Sequence, residues 1–287
     1  MVENWSGDVN VLPGEAFVAA GSFAEKLLDK VSNAIGWSVI PKNTAKYRRE
    51  AEEYLIEKIK SDESIPPLLK AAYMSNARKI IKKYSNQCDV FNGAMNYLAT
   101  EDSLKNIEKV DNDWLDFFFN KVEDIGREDM KVIWSKLLAG EIINPNSVSK
   151  QLLHILSVID YADAQSFMKL MKFIIDVGEE VYVTIFNSTC PEIYEKNGVL
   201  DGDIIRLENI GLLQYNITGY GAKLDEGEKV AYFGEDIGLG DVKTINVGNV
   251  MLTKAGSELM AIIIKDSRDI EFEKCLPQLL TQQMFHI

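Results

Sequence analysis

A short aromatic stretch near the middle of the chain decides the helical part of the fold, and it reads Asp113-Trp114-Leu115-Asp116-Phe117-Phe118-Phe119. Asp113 is of the residue type that caps a helix, because its carboxylate can accept hydrogen bonds from the free N–H groups of the first turn. Trp114, Phe118 and Val122 recur at the spacing of one helix face. The stretch therefore predicts an amphipathic helix that is anchored in a core by its tryptophan.

The neighbouring sequence extends this helical pattern over residues 101–178. A second helix is predicted around Trp134, where the apolar positions are Met130, Ile133, Trp134, Leu137 and Leu138. The expected starts of a third and a fourth helix are, in order, Ser147 or Ser149, and Asp160 or Asp163. Gly178 is expected to end the fourth helix. Four amphipathic helices with short loops predict an antiparallel bundle.

The hydrophobic period changes after residue 178 from that of helices to that of strands. Strands are predicted at 181–186, 212–218, 229–233 and 244–252. A short helix capped by Asp201 or Asp203 precedes the second of these strands, and Thr253 is expected to cap a helix after the last one. A short helix, a β-ribbon and a further helix in this order predict a winged-helix-like unit.

The predicted fold class is therefore mainly α with a smaller α+β part, in which a helical bundle is followed by a winged-helix-like C-terminal domain. Four segments are expected: an N-terminal amphipathic segment at 1–41, a basic helical region at 42–110, the bundle at 111–178 and the winged-helix-like domain at 179–287. The first segment contains a predicted helix with apolar residues at Phe23, Leu27, Leu28, Val31 and Ile35, and Gly36 ends it.

Charge is distributed unevenly along the chain. The 31 Lys and Arg residues face 44 Asp and Glu residues, which gives a net charge of −13. Residues 42–83 hold eleven bases and six acids and so carry +5, which leaves −18 for the rest. The candidate contacts for an anionic partner are Arg48, Arg49, Lys79, Lys82 and Lys83. Such a partner is either a nucleic acid or the acidic surface of another copy.

Two helices are predicted in this basic region, and the second begins at Pro66-Pro67. Their apolar stripes are Tyr47, Ala51, Tyr54, Leu55 and Ile59 in the first, and Leu69, Tyr73, Ala77, Ile80 and Tyr84 in the second. The alternative interpretation of the basic residues is a solvated charged face. In that case Lys79, Lys82 and Lys83 lie near the end of the second helix and stabilise its dipole.

Residues for common catalytic chemistry are scarce. The chain has two histidines, His154 and His286, and three widely spaced cysteines, Cys88, Cys190 and Cys275. No phosphate-binding loop, nucleophile elbow or zinc-ligand spacing is found in the sequence, so neither an enzyme nor a cofactor or metal is expected. The acidic run Asp225-Glu226-Gly227-Glu228 is interpreted as the solvated tip of a hairpin rather than as a magnesium site.

The charge of the winged-helix-like part argues against DNA as its ligand. Residues 201–265 hold six bases and ten acids and so carry −4, whereas phosphate contacts dominate the affinity of proteins for DNA. A DNA-binding regulator is kept as an alternative, with Arg206 and Lys243 as its candidate contacts. The favoured interpretation is a module for protein contacts or dimerisation.

The N-terminal amphipathic segment raises the alternative of a membrane-perturbing toxin that acts through residues 14–36. Its polar face shows no excess of lysine, which interfacial membrane helices usually have. No signal peptide and no apolar stretch long enough to span a bilayer is found in the sequence, so a membrane partner is not expected and a cytoplasmic location is.

Two stretches resemble a known family. They are Asp113–Phe119 with Trp134–Glu141, and Leu207–Leu213 with Gly248–Leu259. Over residues 111–264 the chain resembles the bacterial domain-of-unknown-function family 2806, and in layout it is similar to the abortive-infection alpha proteins of bacteria. The resemblance implies an uncharacterised bacterial or prophage protein linked to antiphage defence. The first hypothesis is therefore a non-enzymatic effector or sensor that acts as a homo-oligomer or with a protein partner.

Overall fold

A computed structural model describes residues 22–36, 44–98, 106–178, 180–186, 191–263 and 268–282. The chain divides into two compact units, residues 1–150 and 151–287. This boundary lies inside the segment 111–178 that the sequence predicts as one bundle, and the division into four segments stays a prediction. The fold is mainly helical with a smaller antiparallel β part, as the fold class predicts.

The first unit consists of five helices and the start of a sixth within the described residues. They are α1 (Ser22–Ile35), α2 (Thr44–Ser61), α3 (Pro67–Met95), α4 (Asn112–Val122), α5 (Glu128–Ile143) and α6 (Lys150–Val158), which begins at the last residue of the unit. The long helix α3 is the centre of the packing, because α2, α4 and α5 all contact it. Helix α1 packs on α4.

Local signals fix several of the helix ends. Helix α1 ends at Ile35, and Gly36 follows with a φ of 75°, the left-handed conformation that glycine adopts without steric cost. Proline stands at the first position of α3, where its missing N–H costs nothing. The cap of α4 is Asp111 rather than the predicted Asp113, since the Asp111 carboxylate accepts a hydrogen bond from the Asp113 N–H at 2.7 Å.

The aromatic stretch forms the core of the first unit, as the sequence predicts. Trp134 is fully buried and its ring lies 5.3 Å from that of Phe118, which stacks on Trp114 at 5.0 Å. The indole N–H of Trp114 donates to the Val148 carbonyl at 2.7 Å. Both tryptophans are therefore core anchors, and the packing leaves their faces no room for a ligand.

The second unit alternates helices and short strands. Its elements are α7 (Tyr161–Leu170), a 3-10 turn (Met171–Phe173), β1 (Ile174–Val177), β2 (Glu180–Val183), α8 (Pro191–Lys196), α9 (Asp201–Asn209), β3 (Leu213–Lys223), β4 (Val230–Tyr232), β5 (Glu235–Asp236), β6 (Thr244–Leu252), α10 (Lys254–Ile262) and α11 (Ile270–Thr281). Thr253 caps α10, as predicted, by accepting from the Gly256 N–H at 3.1 Å. The N-cap position of α9 is Leu200, whose N–H donates to the Asp203 carboxylate at 2.9 Å.

The strands form two antiparallel sheets. One has the order β2-β1-β4-β5, and the other pairs β3 with β6 from Leu213 opposite Leu252 to Lys223 opposite Thr244, with an irregularity between Tyr215 and Tyr220. Segment 184–186 runs beside β6, where the Asn249 N–H donates to the Ile185 carbonyl at 2.7 Å. Gly248 is required there, because a Cβ on it would lie 2.6 Å from that carbonyl oxygen.

Strand β1 corrects the prediction that the fourth helix extends to Gly178. Helix α7 ends at Leu170, and Ile174–Val177 instead pairs with β2 and with β4. Ile174 and Ile175 fit the apolar spacing of the preceding helix, so periodicity alone gives no sign of the change. The pairing with a strand more than fifty residues later supplies the backbone partners that favour the extended form.

Helix α3 is longer than predicted and ends at Met95. Lys79, Lys82 and Lys83 therefore lie about three turns or more before its end, and the interpretation that they stabilise its dipole is wrong, since that effect fades within the last turn. Helix α11 was not predicted. None of the helices in the described part of the chain combines the length and apolar character needed to cross a membrane.

Candidate protein-interaction surface

An exposed apolar surface of the first unit lies on the hairpin formed by α2 and α3. A groove of about 440 Å³ runs between the two helices. Its apolar and aromatic lining residues are Tyr47, Ala51 and Tyr54 from α2, and Ile80, Ile81 and Tyr84 from α3. We call this feature the hairpin groove. Its volume is in the range of small-molecule pockets, but a groove between two neighbouring helices can also bind a further helix.

The stripes predicted on these helices are present, but they are not buried. Tyr54 and Ile80 at the groove are each 58% exposed. Tyr73 and Leu69 continue the α3 stripe toward the tip of the hairpin and are 46% and 40% exposed. A contiguous exposed apolar surface of this kind marks interaction sites more often than single exposed residues do.

Charged side chains lie at the hairpin groove and beside it. Arg48 and Glu50 line the groove, and the ammonium of Lys58 lies 4.8 Å above the ring of Tyr54. Lys79 and Lys82 flank the lining residues in sequence, and both are exposed. Among the described residues, no carboxylate lies within ion-pair distance of Lys79, Lys82 or Arg49. These three of the five predicted contacts are therefore available to an anionic partner.

The other two predicted contacts are already engaged. The Arg48 Nε donates to the Glu52 carboxylate at 2.9 Å, one helical turn away. The Lys83 ammonium donates to Glu123 at 2.5 Å and lies 3.4 Å from Asp124. The hydrogen bond to Glu123 raises the pKa of Lys83 above its ordinary value. Lys83 thus connects α3 to the end of α4 and contributes to the fold rather than to a free surface.

A charged cleft of about 340 Å³ adjoins the groove and shares Arg48 and Ser85 with it. Lys131 lies at its base with only 10% of its side chain exposed, and its ammonium contacts Asp89 at 2.6 Å and Glu128 at 2.9 Å. Burial opposes the charged form of Lys131, but the hydrogen bonds to these two carboxylates outweigh it and raise its pKa. Sequence reasoning missed this cluster, because Asp89 and Lys131 are far apart in the chain.

The two predicted DNA contacts, Arg206 and Lys243, lie in the second unit. Arg206 on α9 donates to the Asp163 carboxylate at 2.9 Å and is also paired with Asp203. The hydrogen bond to Asp163 raises the pKa of Arg206. Lys243 is exposed and lines a polar cavity of about 780 Å³ with the acidic run Asp225–Glu228. Arg206 is not among the residues that line this cavity, and its guanidinium is already engaged by Asp163 and Asp203.

The histidine and the buried cysteine that the structure describes lie in separate environments. His154 is exposed on α6. Burial raises the pKa of the Cys88 thiol to about 12, which makes it a poor nucleophile at neutral pH. In the described part of the chain, no group of three or more His, Cys, Asp or Glu side chains is placed to hold a metal ion. His286 and Cys190 lie outside the described residues.

The amphipathic face of the N-terminal helix is used for packing. Leu27 and Val31 of α1 are 1% and 0% exposed, and α1 contacts α4. The part of residues 14–36 that precedes Ser22 lies outside the described residues. The face that the membrane-toxin alternative requires is therefore covered in its described part.

The described residues form a mainly helical protein of two units, and the first unit carries an exposed helical hairpin with basic and apolar side chains. The chain was compared with known protein families. A family described as proteins of unknown function, DUF2806, matches residues 74–277. This chain belongs to that family. No curated protein and no solved structure matches the chain. The match begins within α3, so it includes Ile80 and Tyr84 of the hairpin groove but not α2.

Proposed function

We propose that this protein is a non-enzymatic interaction protein that acts through protein–protein contacts. The observation that carries the proposal is the hairpin groove, whose exposed apolar residues are next in sequence to Lys79 and Lys82, for which no carboxylate lies within ion-pair distance among the described residues. Protein interfaces combine aromatic anchors with a charged rim in the same way. The tyrosines of the groove supply large contact area at low cost in side-chain entropy.

The partner that fits the groove is an amphipathic helix with acidic flanks. Its apolar side chains, spaced by three and four residues, would lie between the ridges of α2 and α3. Its acidic flanks would meet Lys79 and Lys82, which are exposed beside Ile80 and Ile81 in the sequence of α3. The opposite charges accelerate encounter and select against basic helices of similar apolar pattern.

We also propose that the second unit carries a winged-helix-like module that makes protein contacts. The order α8, α9, β3, β6 and the segment 184–186 beside β6 support the winged-helix part of this proposal. The exposed face of α9 supports the protein-contact part. Ile205 is 58% exposed in the middle of that helix, and Arg206 beside it is paired with carboxylates.

A cytoplasmic location and a role in bacterial antiphage defence complete the proposal. The buried free thiol of Cys88 and the half-buried free thiol of Cys275 support a reducing compartment. The defence role is supported by the similarity in layout to abortive-infection alpha proteins. Its test is phage plating on cells with and without the gene: protection is expected, and equal plating would contradict this part of the proposal.

The test of the interaction function uses two synthetic helical peptides with the same apolar residues at three- and four-residue spacing. One peptide carries Glu on its flanks and the other carries Lys. Binding to the full-length protein is measured by fluorescence anisotropy at low salt. We expect the Glu peptide to bind about tenfold more tightly or better than the Lys peptide, because only its flanks are complementary to the groove.

The control variants decide where the peptide binds. Ile80→Asp places a carboxylate at the groove and is expected to abolish binding of the Glu peptide. Val132→Asp changes an exposed apolar residue on α5, at 48% against 58% for Ile80, and is expected to leave binding unchanged. Equal affinity for the two peptides, or binding that Ile80→Asp does not weaken, would contradict the proposal.

A further inference from the structure

We propose that the partner of the hairpin groove is a second copy of this chain, and that the groove of one copy receives helix α7 of the next. This inference rests on the proposed interaction function and names its partner. It is carried by the exposed face of α7, by the spacing of the side chains on both surfaces and by the opposite charges of the two regions.

Helix α7 presents an exposed apolar stripe that consists of Tyr161 and Met168, which are 59% and 43% exposed. The opposite face of α7 is buried at Phe167 and Leu170, both 0% exposed. The exposed stripe is therefore not required for the core of the second unit.

The spacing of this stripe matches that of the groove. Tyr161 and Met168 are seven residues apart, or about 10.5 Å along a helix that rises about 1.5 Å per residue. Tyr47 and Tyr54, which line the groove from α2, are separated by the same seven residues. Side chains repeated every seven residues on facing helices can interdigitate over two turns.

Charge complementarity selects a head-to-tail arrangement. Residues 42–83 carry +5, whereas residues 151–287 hold 11 bases and 21 acids and carry −10. Asp160, next to Tyr161, is exposed and can meet the basic rim of the groove. A contact between two hairpin grooves would bring two +5 regions together, which is unfavourable. The favourable contact joins different surfaces, and such heterologous contacts form rings or open chains.

The test is sedimentation velocity of the full chain over a range of concentrations at low and high salt. We expect the mass to rise with concentration at low salt and to fall at high salt, because exposed charges are screened. Ile80→Asp in the groove and Met168→Asp on α7 are each expected to weaken association about tenfold or more. Val132→Asp and Ile217→Asp, which change exposed apolar residues elsewhere in the two units, are expected to leave it unchanged.

A mixture of the two weakened variants tests directly whether the groove of one copy pairs with α7 of another. The Met168→Asp variant keeps an intact groove and the Ile80→Asp variant keeps an intact α7, so a one-to-one mixture is expected to form dimers that grow no further. A wild type that stays monomeric at low salt, or a mixture that does not dimerise, would overturn the proposal. If the Glu peptide still binds the groove in that case, the interaction function stands and only the identity of the partner is wrong.

Discussion

The two halves of helix α3 differ sharply, although one continuous backbone carries both. The second half, from Ser85 onward, buries Cys88, Val90, Phe91 and Ala94 completely against the rest of the first unit. The first half leaves Leu69, Tyr73 and Ile80 between 40% and 58% exposed. Both halves have apolar stripes at helical spacing, so the stripe shows that a helix forms but not that its apolar face is covered.

Helix α3 therefore carries one set of residues for folding and another set that is available for binding. Apolar residues in the second half of α3 stabilise the fold, and those in the first half are available to a partner. The same separation holds for basic residues, because Lys83 in the middle of α3 is paired with Glu123 whereas Lys79 and Lys82 are exposed. Matched substitutions in the two halves of α3 test whether they differ in this way.

The largest effect is expected for aromatic residues of the two halves. Phe91→Ala removes a ring that is 0% exposed and should lower the free energy of unfolding by about 3–5 kcal/mol, through lost burial and a cavity. Tyr73→Ala, at 46% exposed, should change it by about 0.5 kcal/mol or less. Urea unfolding followed by circular dichroism measures both. Similar losses of unfolding free energy in the two variants would contradict the difference between the two halves.

A smaller effect is expected where α5 is joined to the second half of α3 by an ion pair. Lys131→Met removes the ammonium that contacts Asp89 and Glu128 and should cost about 2 kcal/mol, since Asp89 loses a charged hydrogen bond in a partly buried site. Lys136→Met, on the same helix but half-exposed, serves as the control. A loss no larger than that of the control would show that the cleft is not a structural cluster.

The buried thiol of the second half gives a prediction for alkaline pH. Burial raises the pKa of Cys88 from 9.0 to about 12, so the folded state keeps a proton that the unfolded chain has already lost. Stability is therefore full below pH 9 and should decline toward pH 12, by up to about 1.4 kcal/mol per pH unit. Cys88→Ala should flatten this decline in urea titrations. An unchanged slope in Cys88→Ala would contradict the assignment.

The smallest effect is expected at the DNA contact that the sequence suggested. Arg206 is held by Asp163 and Asp203, so Arg206→Ala should change affinity for duplex DNA less than about twofold at low salt. Gel shifts with a random duplex measure this affinity. Strong, salt-dependent binding that falls in Arg206→Ala would restore the DNA-binding alternative and weaken the proposed role of α9 in protein contacts.

Much of the fold could be predicted from local signals. The strand predicted at 244–252 has those bounds in the structure, Thr253 caps α10, and the core position of Trp114 and Trp134 follows from their helical spacing. These features depend on residues close together in the chain. Gly36 and the Pro66-Pro67 pair likewise act within one turn of the helix ends that they mark.

Features that depend on distant residues could not be predicted. Ile174–Val177 becomes a strand because β2 and β4 pair with it, and its apolar residues fit either period. The partner of Lys131 on α3 lies 42 residues away, and that of Arg206 on α7 lies 43 residues away. The Arg48–Glu52 pair is local, at a spacing of four residues, but the pairing of Lys83 with Glu123 depends on the packing of α3 on α4.

Site-specific photo-crosslinking tests the central claim, that the hairpin groove is a docking surface, most directly. Benzoylphenylalanine replaces Tyr54 in the full chain, and a second variant carries it at Val132 as the control position. We predict a crosslinked species of twice the chain mass from position 54, with the crosslink mapped to the segment that contains Tyr161 and Met168. Absence of any crosslink at position 54 above the level of position 132 would contradict the claim.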